Sequence, residues 1–135
     1  MENLTDKDLE LIDIASETIK RNYDKENYRH TVAAVIRCKD GKIYKGINIS
    51  SIHGACSEMI AVGAAMTDGE REFESLVSVR GENGEEILPP CGNCRQFLSD
   101  YMPDCKVIIK TNNGLKKIAV RDLLPFAYTV PMEDK

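Results

Sequence analysis

The spacing of apolar residues changes along the chain, and the first regular pattern lies near the N-terminus. Between residues 4 and 23 apolar side chains recur every three to four positions, a period that predicts an amphipathic helix. Thr5 and Asp8 stand three residues apart at its start, as the two members of a capping box do. One face of this helix is therefore expected to pack against a core.

The next patterns predict a hairpin and then a buried helix. Residues 30–38 and 43–49 are rich in β-branched and small apolar side chains, and Asp40-Gly41 between them is a strong signal for a tight turn. Residues 56–67 are apolar on nearly every side, which is typical of a helix surrounded by the rest of the protein. We expect this helix to lie at the centre of the fold.

The rest of the chain continues the alternation of strands and helices. The predicted elements are strands over residues 75–80, 106–110 and 115–119, a helix over 94–101 and one helical turn over 121–124. Such alternation predicts an α/β fold, a three-layer α/β/α sandwich around a five-stranded mixed sheet. We expect residues 1–135 to form a single domain, with 132–135 as a disordered tail.

Composition narrows the classes of function. The 135 residues are 42% hydrophobic and 30% charged, which is ordinary for a globular domain. The net charge of −4 disfavours binding to nucleic acid, which usually requires a basic surface. No apolar run approaches the roughly 18 residues that cross a membrane, and the acidic N-terminus is unlike a secretory signal. The sequence therefore predicts a cytoplasmic protein without a nucleic-acid or membrane partner.

Three of the five cysteines are spaced as metal ligands are. Cys91 and Cys94 flank a short turn, and Cys56 begins a separate predicted helix. The partial positive charge at a helix N-terminus favours the thiolate, which is the form that binds metal. Three protein ligands leave the fourth position of Zn²⁺ open, as in catalytic zinc sites. We therefore predict Zn²⁺ as the cofactor, held by Cys56, Cys91 and Cys94.

Two charged residues lie beside the predicted ligands. Glu58 follows Cys56 by two positions, close enough to reach the open position without ligating the metal, and we predict it as the catalytic acid–base group. Three thiolates give a zinc site a net charge of −1, which makes bound water less acidic. Arg95, next to Cys94, is the candidate that balances this charge; a surface or salt-bridge role is the alternative.

A structural zinc site is the alternative interpretation of the three thiols. Such sites nearly always have four protein ligands. His53, in an H-x-x-C pattern with Cys56, is the strongest candidate for a fourth ligand. Further candidates are Cys38, Cys105 and His30. This interpretation leaves the position of Glu58 unexplained.

The motifs around these residues resemble those of a known family. The matching segments are residues 31–34, 40–43, 46–49, 54–58, 90–96 and 121–125. Cys-x-Glu followed by Pro-Cys-x-x-Cys is the signature of zinc nucleobase deaminases. The chain resembles the cytidine deaminase superfamily, most closely its blasticidin-S deaminase branch. The resemblance implies hydrolysis of an amino group from a cytosine ring, with the three cysteines as zinc ligands and Glu58 carrying the protons.

The resemblance also implies which residues bind substrate. Asn48 matches an asparagine that contacts the sugar, and the backbone around Ala55, Pro89 and Cys91 matches groups that hold the pyrimidine carbonyl, its amino group and the zinc-bound oxygen. His30 falls where the family places an aromatic ring against the pyrimidine. Asn48 could instead satisfy its own loop backbone, and His30 could be a surface residue at a strand edge. The family forms homotetramers with shared active sites, and Tyr128 lies in a matching C-terminal segment, where core packing is the alternative role.

Three positions depart from the family pattern. Ser50 replaces a glutamate that binds ribose hydroxyls, Met59 replaces an arginine after the catalytic glutamate, and Ser57 replaces an alanine before it. The blasticidin-S branch shares the first two departures in kind. We therefore expect deamination of a small free cytosine nucleoside, cytidine or deoxycytidine, with a nucleoside antibiotic of the blasticidin-S type as the alternative. A nucleic-acid editing enzyme and a non-catalytic zinc module are more distant alternatives.

Overall fold

A mixed sheet of six strands forms the middle layer of the structure, a computed structural model in which residues 1–130 are described. The strands are β1 (Val32–Cys38), β2 (Ile43–Ile47), β3 (Phe73–Arg80), β4 (Glu86–Leu88), β5 (Lys106–Thr111) and β6 (Gly114–Ala119). Their order is β2-β1-β3-β5-β6, with the short β4 paired to β3. β3 and β5 run parallel, and the other described pairs are antiparallel.

Four helices pack on the two faces of this sheet among the described residues. They are α1 (Asp6–Asn22), α2 (Ser57–Thr67), α3 (Gly92–Tyr101) and the single turn α4 (Val120–Leu123). The first of them begins as its sequence predicts, because the Thr5 N–H donates to the Asp8 carboxylate at 2.8 Å in a capping box. None of the helices within residues 1–130 is long and apolar enough to span a bilayer.

Two separate clusters of buried side chains hold the three layers together. One joins the sheet to α1 and contains Leu11, Ala15, Ile19, Ala33, Val35, Val77, Val79 and Ile108. The other joins the opposite face of the sheet to α2 and α3 and includes Ala34, Ile36, Ala61, Val62, Leu76, Leu98 and Val107. Successive strand residues point to opposite faces, so Ala33 and Val35 contribute to the first cluster while Ala34 and Ile36 contribute to the second.

Helix α2 lies directly on the backbone of β2. A Cβ atom at Gly46 would come within 2.4 Å of the backbone nitrogen of Ala61. Only glycine permits this approach, because no side chain fits between the strand and the helix. The contact fixes α2, and therefore the residues at its N-terminus, relative to the sheet.

The predicted α/β fold is confirmed, with differences in detail. The sheet has six strands rather than five, because Glu86–Leu88 pairs with β3. This strand is only three residues long and ends just before Pro89, so it carries too little periodicity to be predicted. Helix α3 begins at Gly92, two residues earlier than expected, because Cys91 is its N-cap. The predicted tail over residues 132–135 lies outside the described residues.

Candidate active site

The three predicted ligand thiols meet at the start of two helices. Cys56 is the N-cap residue of α2, Cys91 is the N-cap residue of α3, and Cys94 lies in the first turn of α3. Their sulfur atoms all lie within 4.8 Å of one another, and those of Cys56 and Cys91 are 3.6 Å apart. Two segments distant in sequence therefore supply one compact group of sulfur atoms.

This geometry fits a single zinc ion. With zinc–sulfur bonds of about 2.3 Å in a tetrahedron, neighbouring sulfur atoms lie roughly 3.8 Å apart. Within residues 1–130, no histidine, carboxylate or further cysteine joins the three-thiol group as a fourth ligand. His53 stays outside it, and Cys38 lies instead beside Asp40 and Glu70. Three ligands with a fourth position left over are the arrangement of a catalytic zinc site, not a structural one.

The surrounding protein raises the pKa of two of the three thiols and lowers that of the third. Burial raises the pKa of Cys94, and repulsion from Glu58 and the neighbouring sulfur atoms adds to the rise. The pKa of Cys56 is also raised, chiefly by burial. Burial opposes ionisation of Cys91 as well, but the backbone N–H of Cys94 and the sulfur of Cys56 outweigh it and lower the Cys91 pKa. A bound cation would favour the thiolate form of all three.

Glu58 lies in the first turn of α2 with its side chain almost fully buried. The residue is 5% exposed, and the hydroxyl of the equally buried Ser57 donates to its Oε1 atom at 3.0 Å. Glu58 and the thiols of Cys56 and Cys91 line the same cavity. A carboxylate in this place can exchange protons with a molecule bound in the cavity.

The cavity has a volume of about 390 Å³, which suits a small organic molecule. Its remaining lining residues are Val32, Asn48, Ile49, His53, Gly54, Ala55, Ser57, Met59, Leu88, Pro89 and Asn93. The walls are mainly apolar, and Ser57, Glu58 and Asn93 are polar lining residues close in sequence to the thiols. A mainly apolar cavity with a few polar groups is typical of a site for a small organic ligand.

Comparison with known proteins assigns the chain to a family. Residues 5–111 match the sequence model of the cytidine and deoxycytidylate deaminase zinc-binding region. The chain belongs to this deaminase family. The three-thiol group and the family agree on Zn²⁺ as the cofactor, so the chain is a zinc-dependent deaminase.

Individual deaminases are similar to the chain over most of its length. Blasticidin-S deaminase of Bacillus cereus is 38% identical, over 94% of this chain and 96% of that protein. Cytidine deaminase of Halalkalibacterium halodurans is 34% identical, over 75% and 79% respectively. Crystal structures of cytidine deaminases from Mycobacterium tuberculosis and Burkholderia pseudomallei align with TM-scores of 0.74 and 0.72, each at 25% identity. They cover 94% and 93% of this chain and all of their own chains.

Asn48 lines the deaminase cavity, but its side chain is largely occupied by the protein. Its Oδ1 accepts from the backbone N–H groups of Thr31 and Val32 at 2.8 and 3.0 Å, and its Nδ2 donates to the Arg29 carbonyl at 3.3 Å. A primary amide has two N–H hydrogens, so one remains for a substrate. Asn48 thus clamps the loop after β2 to the start of β1, whatever it also contributes to binding.

The other two predicted backbone contacts also line the cavity. Ala55 is paired with Ile49: each N–H donates to the carbonyl of the other at 2.9 Å. The N–H of Ala55 is therefore already used, and its carbonyl keeps one lone pair for a substrate. Pro89 offers only a carbonyl, because proline has no N–H.

Besides Cys94, three predicted site residues do not line the cavity. The His30 ring contacts the Asn48 carbonyl at 2.8 Å, which joins two backbone segments. Arg95 donates to the carbonyls of Pro90 and Leu123 at 2.8 and 3.0 Å, so its guanidinium holds α3 to its neighbours. Tyr128 is 74% exposed, and its carbonyl accepts a hydrogen bond from Gln96. The roles predicted for them stay predictions.

Sequence reasoning missed the apolar walls of the site. Val32, the first residue of β1, and Leu88, the last residue of β4, both line the cavity. Either could have been predicted only by knowing which strand ends meet the thiols, because an apolar residue at a strand end carries no chemical signal of its own. His53, predicted only as a rival ligand, also lines the cavity.

Proposed function

We propose that the chain deaminates a small free cytosine nucleoside, cytidine or deoxycytidine. The reaction consumes water and yields the uracil nucleoside and ammonia. One observation carries the proposal: Cys56, Cys91 and Glu58 line a single cavity of about 390 Å³, and the buried Cys94 completes the three-thiol group beside it. A metal-binding group without a neighbouring carboxylate would support binding alone, whereas the carboxylate adds the means to move protons.

Each residue at the site has a defined task in this reaction. Cys56, Cys91 and Cys94 would hold zinc, which supplies a Lewis acid that brings the pKa of water close to neutrality. Glu58 takes a proton from the attacking water at its carboxylate and delivers it to the ring nitrogen beside the reacting carbon. The same carboxylate then passes the second water proton to the leaving amino group, which departs as ammonia. Its burial keeps bulk water away from these transfers.

The charges of the cavity support a free nucleoside rather than a nucleotide. Among the described residues that line it, Glu58 is the acidic one and none is lysine or arginine. A 5′-phosphate carries a charge that needs a basic partner when it is taken out of water. Deoxycytidine is therefore expected to be a much better substrate than its 5′-monophosphate.

A larger cytosine nucleoside of the blasticidin-S type is the second candidate substrate. Two observations favour it: 38% identity to a blasticidin-S deaminase along nearly the whole chain, and a serine at position 50 in place of a sugar-binding carboxylate. The Ser50 hydroxyl donates to the Arg29 carbonyl at 3.0 Å and is thus held by the protein. With serine at position 50, the hydroxyl groups of an ordinary ribose lack the strong acceptor that a carboxylate would provide.

We also propose that the chain works as a homotetramer in the cytoplasm. The C-terminal aromatic side chains support this, since Phe126 is fully exposed and Tyr128 is 74% exposed. Ile52, on the loop beside the cavity, is 98% exposed as well. Large exposed apolar side chains of this kind can be buried by contact with another protein chain. Sedimentation of the zinc-loaded protein tests the number of subunits.

The substrate proposal is tested with a panel of cytosine compounds. Zinc-loaded protein is mixed with cytidine, deoxycytidine, deoxycytidine 5′-monophosphate, cytosine and blasticidin S, and the loss of absorbance as cytosine becomes uracil is followed. Turnover of the two nucleosides with little or none of the nucleotide is expected. Turnover of blasticidin S alone would select the second candidate, and turnover of none of the five would refute the proposal.

A further inference from the structure

We propose that Ser57 is a positioning residue that holds the Glu58 carboxylate in the orientation needed for proton transfer. The inference rests on the proposed function, because it concerns the same carboxylate and the same reaction. It adds a second residue to the machinery, one that departs from the alanine that the family pattern has at this position.

The geometry of the two side chains is the first support. Ser57 is 1% exposed and Glu58 is 5% exposed, and the serine hydroxyl donates to Oε1 at 3.0 Å. Among residues 1–130, no other group donates a hydrogen bond to the Glu58 carboxylate. Such a bond fixes which carboxylate oxygen faces the serine, because a hydrogen bond weakens steeply when its geometry is distorted.

The hydrogen bond between Ser57 and Glu58 restricts both side chains, because of where the two residues lie in the helix. Ser57 and Glu58 are the first two residues of α2, and adjacent residues of a helix do not ordinarily face each other. The bond therefore requires both side chains to turn toward one another, which restricts the last torsion of Glu58, a broad torsion in the absence of a partner. The second carboxylate oxygen, Oε2, is left to exchange protons with the substrate and with water.

A purely structural role for the Ser57 hydroxyl is not supported by its contacts. A serine at a helix start commonly caps the helix, but Cys56 occupies the N-cap position of α2 and makes no side-chain cap bond. The described bond of the Ser57 hydroxyl goes to Glu58 instead. Met59, on the other side of Glu58, cannot donate a hydrogen bond. Ser57 is thus the neighbour in sequence that can orient the carboxylate.

Three substitutions at this position test the inference. Ser57→Ala removes the hydroxyl, while Ser57→Thr and Ser57→Val have the same shape and differ only in the hydroxyl. Ser75→Ala is the matched control, because Ser75 is a buried serine on β3 that does not line the cavity. Bound zinc, the melting temperature, kcat and KM are measured for each protein with the best substrate of the panel.

We expect Ser57→Ala to keep one zinc per chain and a KM within about twofold of the unmodified protein, with kcat lowered roughly tenfold. Ser57→Thr should recover most of kcat and Ser57→Val should not. If the alanine variant does not fold, the difference in kcat between the threonine and valine variants still tests the inference. Ser75→Ala should leave kcat unchanged.

An unchanged kcat in Ser57→Ala, or equal kcat values in the threonine and valine variants, would overturn the positioning role and leave the proposed function intact. Failure of the unmodified, zinc-loaded protein to deaminate any cytosine compound would overturn both. The two failures are therefore separate results of the same series.

Discussion

The sulfur atoms of Cys56 and Cys91 lie 3.6 Å apart, although 35 residues separate them in the chain. Each occupies the N-cap position of a different helix, and both helices pack on the same face of the sheet. Two helix N-termini, each with partial positive charge, therefore point at one place, where a cluster of thiolates would otherwise repel itself. A metal ion held by these thiols would tie α2 to α3.

Loss of one of these thiols is expected to remove the metal. We predict that Cys91→Ala loses bound zinc and turnover, because two thiols cannot complete the site. Cys105→Ala is the control, because Cys105 is a buried cysteine that lies outside the three-thiol group. Zinc per chain is measured after dialysis. Zinc loss in Cys105→Ala, or its full retention in Cys91→Ala, would contradict the assignment.

Metal removal should also destabilise the fold. Because zinc would bind the folded chain and join two helices, a chelator is expected to lower the melting temperature, and the drop should be larger the more tightly zinc binds. Adding one equivalent of zinc should restore it. A melting temperature that is indifferent to zinc would show that the ion does not bridge α2 and α3.

The contact between Gly46 and Ala61 predicts that the strand tolerates no side chain. Gly46→Ala should lower the free energy of unfolding by roughly 3 kcal/mol, since the new methyl group meets helix backbone that cannot move aside. Gly63→Ala within α2 is the matched control, because nothing lies within 4 Å of a Cβ atom built there. It should raise stability by about 1 kcal/mol. Urea unfolding of both variants measures the difference, and comparable stabilities would refute this packing.

Ionised Asp8 is expected to stabilise the fold in a pH-dependent way. Burial acts to raise its pKa, but hydrogen bonds from Thr5 and the Nζ of Lys117 at 2.9 Å outweigh it and hold the Asp8 pKa below its ordinary value. A carboxyl whose pKa is lower in the folded state stabilises the protein above its unfolded pKa, near 4, and this stabilisation is lost as the pH falls through the folded pKa.

The corresponding substitution is Asp8→Asn. It should lower the free energy of unfolding by roughly 2 kcal/mol at pH 7, because it leaves Lys117 without its partner and weakens the helix cap. The difference from the unmodified protein should shrink below about pH 4. Asp13→Asn, on the exposed side of the same helix, serves as the control. A difference that stays constant from pH 7 to pH 3 would contradict this account.

Most of the fold could be predicted from the sequence, because long segments with regularly spaced apolar residues indicate their own secondary structure. The pattern of Leu11, Ala15 and Ile19 predicts α1, and Gly41 adopts the positive φ that its hairpin turn requires. The strand Glu86–Leu88 was not predicted, because three residues are too few to show an alternating pattern of apolar and polar side chains. Its pairing also depends on where β3 lies.

The candidate site also contains some residues that the sequence predicts and others that only the structure reveals. The thiols and Glu58 were predictable because each has its own chemistry and a fixed spacing along the chain. The environment of Asn48 was not: its amide is held by backbone groups of Thr31, Val32 and Arg29, which only the fold brings near it. The walls formed by Val32 and Leu88 were likewise hidden, because two strand ends meet there through the pairing of the sheet.

The most direct test of the central claim is the turnover of Glu58→Gln with zinc measured on the same sample. Glutamine keeps the shape of the side chain but cannot accept and return a proton as a carboxylate does. We predict one zinc per chain, as in the unmodified protein, with deamination of cytidine or deoxycytidine reduced by a factor of at least about 10². Zinc-loaded Glu58→Gln that deaminates at the unmodified rate would show that the carboxylate beside the three thiols is not the proton carrier.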